Sequence, residues 1–148
     1  MNQADVVLAF WSEQRQQMRQ SEDQRAVLTN YILVIVSALT GFAVQQKLAT
    51  VTLPLTVLIT LAGGYGAVTV AKYHERAVYH LGQARALAGV LETLGALPRD
   101  ETLLEDRRAA HARQYRLLYR IRLHTLWTSL HLVIAALGLI LTVVVLAK

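Results

Sequence analysis

No cysteine occurs among the 148 residues, which excludes disulfide frameworks, thiolate metal sites and cysteine nucleophiles. Proline is nearly missing as well: only Pro54 and Pro98 are present, so little stands in the way of long helices. The most informative scarcity is local. Formal charge is absent from 21 residues between Arg25 and Lys47, from 24 between Lys47 and Lys72, and from 25 between Leu123 and Ala147. A buried helix of a soluble protein rarely exceeds about 14 such residues, whereas a membrane span needs about 20. These runs exclude an ordinary soluble domain and leave too little chain for a separate catalytic domain. The expected fold class is an all-α integral membrane protein. It has three transmembrane helices, long helical cytoplasmic extensions forming an antiparallel hairpin, and an N-terminal helix.

The spans are expected at about residues 26–44, 51–71 and 125–147. The first two are joined by a short turn around Gln45, Gln46 and Lys47, and Pro54 falls in the first turn of the second helix, where its missing N–H costs least. Asp5, Glu13, Glu22 and Asp23 make residues 1–25 unlike a signal peptide, which begins basic and turns apolar. Arg outnumbers Lys twelve to three and the net charge is +5. In a soluble chain that balance suggests nucleic acid; here a positive-inside bias accounts for it, and no nucleic acid is expected. Thirteen of the fifteen Lys and Arg residues precede the first span or lie between the second and third. The N-terminus is therefore expected in the cytoplasm and the C-terminus outside. Tyr73 and Trp127 suit anchors at the inner boundary.

Residues 72–97 and 101–124 are arms of about 24–26 residues each around a turn at Pro98, Arg99 and Asp100. They read as an antiparallel hairpin with residues 1–25 packed beside it. No glycine or proline lies near residue 25 or 124, so each arm is expected to run unbroken into its span. A bend is expected near Lys72, after Gly63, Gly64 and Gly66. The outgoing arm places Tyr73, Ala77, Leu81, Ala84, Ala88, Leu91 and Leu94 at three- and four-residue spacing. The returning helix continues Leu103, Ala110, Leu117 and Ile121 into His124, Thr128, His131, Ala135, Gly138 and Thr142. Apolar groups drive association in water, while small and polar ones do so in lipid. This last stripe either packs against the chain's own hairpin or lines an oligomer axis.

The second span offers Thr52, Thr56, Thr60, Gly63 and Ala67, and the first Asn30, Ser37 and Gly41; both stripes are expected to face inward. Gly63, Gly66 and Ala67 are read as helix-packing positions, because a Gly-Gly-Tyr-Gly filter would need a re-entrant loop that the short preceding turn cannot supply. His131, two turns inside the third span, is either a polar pathway residue or a bridge between helices. His124 and His74 sit near the same boundary, and His80 and His111 look structural. With no carboxylate in the spans, no metal and no cofactor are expected. Arg113, Arg116 and Arg120, expected to share one face, suit anionic lipid headgroups, a nucleotide signal or a cytoplasmic protein.

No catalytic constellation is present: no nucleophile elbow, no phosphate loop and no carboxylate pair at the surface. In organisation, residues 1–100 resemble small bacterial SLATT-type transmembrane defence effectors, which join a tight transmembrane hairpin to cytosolic helices. The third span departs from their two-span plan, and no functional residue carries over. The resemblance implies a homo-oligomeric pore-forming effector in a bacterial inner membrane. The alternative is a non-conducting, membrane-anchored adaptor that recruits a partner through its arms.

Overall fold

The computed structural model describes residues 2–97 and 101–148, without the side chains of 101–104 and 117. Helix α1 runs Gln3–Gln45 and α2 Leu53–Thr93, the latter entered through a 3-10 turn at Thr50–Thr52. Two shorter helices follow, α3 at Glu101–Gln114 and α4 at Arg116–Arg120, and then α5 at Leu123–Leu146. No strand occurs among the described residues. By length and composition, α1, α2 and α5 are each able to cross a membrane.

Both long helices end in the same way. Leu48 N–H donates to the Ala43 carbonyl at 3.0 Å and Lys47 N–H to that of Val44 at 2.8 Å, the paired bonds of a Schellman motif. Lys47 and Leu48 take left-handed backbone, with φ of 52° and 51°. Neither is glycine, so each carries about 1–2 kcal/mol of conformational cost. The Lys148 ammonium donates to the Lys47 carbonyl at 2.8 Å. At the far end of α2, Ala96 N–H donates to Leu91 and Gly95 N–H to Glu92, at 2.9 and 3.1 Å. Gly95, with φ of 71°, occupies the left-handed position. The outgoing arm therefore closes at Thr93, not at residue 97: glycine, and not Pro98, is the stop.

α2 is helical from Leu53 through Thr93, the glycines before Lys72 included. One further expectation is corrected. The returning arm, expected to be continuous, breaks at Tyr115 and again at Ile121 and Arg122. Neither break falls at a glycine or proline; arginines at three- and four-residue spacing without an acid weaken the arm by about 0.2–0.5 kcal/mol per pair. Continuity through residue 25 does hold, because α1 is one helix of 43 residues.

The chain divides into two units. The arm unit comprises Met1–Ser21 and Glu75–Arg122. On α2, Ala77, Ala84 and Leu91 are buried and Leu81 and Ala88 half-buried. On α1, Ser21 is buried and Val7, Trp11, Gln14 and Met18 are half-buried. Both sets follow four-three spacing, the period of a coiled-coil seam. Gln14 Oε1 lies 2.7 Å from His80 Nδ1, and Arg76 donates to Gln17 Oε1 at 3.2 Å. Partner numbers run in opposite senses, so the two segments are antiparallel. α3 and α4 expose nearly all their described side chains, Ala110 of the expected seam among them, and Ile121, beyond α4, is exposed as well. The expected turn at 98–100 lies outside what is described, as do the side chains of the seam residues Leu103 and Leu117.

The span unit comprises Glu22–His74 and Leu123–Lys148. Its core is Ile32 and Val36 of α1, Ile59 of α2 and Ile134 of α5, with Leu28, Leu39, Ala62 and Leu141 against them.

Candidate functional site

The polar and small residues of the span unit converge on α5. His131 is wholly buried. Its Nε2 lies 3.1 Å from the Thr29 hydroxyl, which already donates its hydrogen to the Arg25 carbonyl at 2.9 Å. Thr29 Oγ therefore accepts from Nε2–H, and this fixes the tautomer. The Nδ1 edge, without a hydrogen-bond partner, lies against Gly66, where an added Cβ would overlap the ring. One imidazole thus bonds to α1 and packs against α2. One turn further along, an added Cβ on Gly63 would run into the Ala135 backbone, and one on Gly138 into that of Thr60. The Thr142 hydroxyl donates to Thr56 Oγ at 2.9 Å, and Thr56 donates to the Leu53 carbonyl at 3.0 Å. Thr128 is half-buried and bonds back to the His124 carbonyl at 3.0 Å.

The stripe of α5 thus faces Thr56, Thr60, Gly63 and Gly66 of α2, and Ala67 is buried. Asn30, Ser37 and Gly41 do not join it. All three are exposed, and nothing lies within 4 Å of a Cβ placed on Gly41. The inward face of α1 is Arg25, Thr29, Ile32, Val36 and Ala43 instead. Choosing α1's face by its small and polar residues misplaced it by about 100°, one residue on the wheel. The Gly-Gly-Tyr-Gly run lies within unbroken helix, with Tyr65 exposed.

A second cluster lies at one end of the span unit. His74 of α2 and His124 of α5 stack with centroids 4.1 Å apart and planes 11° from parallel. Stacked rings turn faces to each other, not nitrogen lone pairs, so the pair is not arranged to share a metal. Arg25, only 5% exposed, places its guanidinium 5.3 Å from the Trp127 ring centre and 3.9 Å from the Glu22 carboxylate. Burial lowers the pKa of His74; His124 and Arg25 push it the same way and Glu22 opposes them. Arg25 and Trp127 each carry a buried N–H without an acceptor. The sequence reading passed over Arg25 as a flanking charge; its place one turn before Thr29 on the same face was the available signal.

In the arm unit His80 bonds to Gln14, and His111 packs beside Tyr115 and Tyr119 at 4.9 and 6.4 Å. Arg113, Arg116 and Arg120 are exposed. They do not share one helix face, because Arg113 belongs to α3 and the other two to α4. No family model, no curated protein and no solved structure matches this chain.

Proposed function

We propose that this chain is a non-conducting, non-enzymatic membrane adaptor. Its three spans anchor it in a bacterial inner membrane, and its N-terminus and arms face the cytoplasm to recruit a partner. The observation that carries this reading is the closure of the α5 stripe within one chain. His131 is spent on Thr29 and Gly66, Gly138 on Thr60, and Thr142 on Thr56. Polar groups in a span gain most by finding partners, and a stripe already paired has no polar face left for a pathway. The seam of the arm unit adds a second support, since a rigid helical pair is a suitable platform for partner helices.

The test is ion flux through liposomes carrying the purified protein, at two pH values, for wild type and His131→Leu. The expected result is no flux above empty liposomes for either protein. The variant should lose about 1–3 kcal/mol of stability, because the Thr29 oxygen forfeits its donor. Wild-type flux that His131→Leu abolishes would overturn the adaptor reading.

One observation favours a second reading, the oligomeric pore or effector. Asn30, Ser37 and Gly41 form an outward, unpartnered face on α1, which several copies would bring around an axis. A mass measurement in nanodiscs separates the two, since a strict monomer has no axis.

A further inference from the structure

We infer that residues 113–122 form a surface that docks on anionic phospholipid headgroups, lying along the cytoplasmic leaflet instead of continuing α5 away from it. The inference rests on the membrane reading above and adds a specific lipid partner. The first support is charge. Arg113, Arg116, Arg120 and Arg122 are all exposed, no acidic residue follows Asp106, and none of the four has an ion-pair partner among the described residues. The second is exposed apolar surface in the same ten residues: Leu118 is 68% exposed, Tyr119 59% and Ile121 50%. On α4, Arg116 and Arg120 stand one turn apart, and Leu118 points to the opposite side. Basic groups with interleaved aromatic and aliphatic side chains are the chemistry of a headgroup interface.

The third support is the backbone. An unbroken helix from 101 into α5 would fix these side chains on a rod leading straight out of the span. Instead the helix stops at Tyr115 and again at Ile121 and Arg122, directly before Leu123. Those stops free residues 116–120 to turn. Covalent reach does the rest, for Arg113 is ten residues from Leu123 and at most about 35 Å of chain from it. Arg116, Arg120 and Arg122 are closer still. A protein partner with an acidic groove has the same charge chemistry, but it does not account for basic and apolar groups interleaved in the ten residues that lead into a span-length helix.

The experiment uses the full chain, whose lack of cysteine permits single labelling sites. Bimane is attached at Tyr119→Cys, and at Leu139→Cys on the exposed side of α5. Both proteins are placed in nanodiscs of brominated phosphatidylcholine, with and without a third of phosphatidylglycerol. Label at Leu139→Cys should be quenched in both compositions. Label at Tyr119→Cys should be quenched about twofold more with phosphatidylglycerol. That gain should vanish at about 0.5 M salt, and also when Arg113, Arg116, Arg120 and Arg122 are all replaced by Gln. Quenching at Leu139→Cys without any at Tyr119→Cys overturns the docking inference and leaves the membrane reading standing. A Tyr119→Cys label shielded from aqueous iodide yet unquenched by lipid also overturns it, in favour of a protein cover. Loss of quenching at Leu139→Cys overturns the membrane reading and this inference with it.

Discussion

Two adjacent glycines of α2 separate packing from propensity at the scale of one residue. An added Cβ at Gly63 overlaps the α5 backbone, whereas at Gly64 it meets nothing within 4 Å. Gly63→Ala should therefore force α2 and α5 apart and destabilise by about 1–3 kcal/mol. Gly64→Ala should be neutral or stabilising by up to about 1 kcal/mol. Thermal melts in detergent compare the two directly, and equal melting temperatures would refute the close crossing. The stacked histidines give a pH dependence of definite sign. A depressed native pKa for His74 means that the unfolded chain takes up the proton first as pH falls. The contribution is complete above the ordinary value of about 6.5 and is lost as pH falls through the lowered native one. Melting temperature should drop between about pH 7.5 and 5, and His74→Gln should make that drop smaller.

At the scale of elements, the arm seam is tested by neighbours of unlike burial. Leu91 is 3% exposed and Val90 43%. Leu91→Asp places a carboxylate in the α1–α2 seam and should cost several kcal/mol, while Val90→Asp should stay within about 0.5 kcal/mol. Hydrogen exchange of residues 7–21 and 77–91 reads the difference. Much of this level was legible in the sequence. Charge-free runs located the three span-length helices, and four-three spacing picked out Ala77, Leu81, Ala84, Ala88 and Leu91. The absence of a helix breaker predicted continuity through residue 25 but not through the returning arm, which stops at Tyr115 and Ile121 with neither glycine nor proline there. The inward face of α1 failed for another reason. Ile32 and Val36 face inward and Val34 and Ile35 outward with the same hydrophobicity, so only contacts with α2 and α5 decide between them. His131 was legible as a polar residue inside a span, but its partner Thr29 lies 102 residues away, beyond any local pattern.

For the whole molecule, the proposed orientation puts Gln46 and Arg85 on opposite sides of the membrane. Cysteines at those two exposed positions should react with an impermeant reagent from opposite faces of right-side-out and inverted vesicles; reaction from the same face would refute the orientation. The crossing of α5 over α2 has one more consequence. Gly63, Gly66, Gly138 and the Thr56–Thr142 hydroxyl pair hold α5 by shape and by hydrogen bonds made side to side, none of which depends on the chain that leads into it. Spans that are stable one by one can associate afterwards, so α5 should behave as a cassette. Fragments 1–97 and 101–148, expressed together from separate reading frames, should reassemble and co-purify. Replacing Gly63 by Leu in the first fragment should abolish that complementation while leaving each piece inserted.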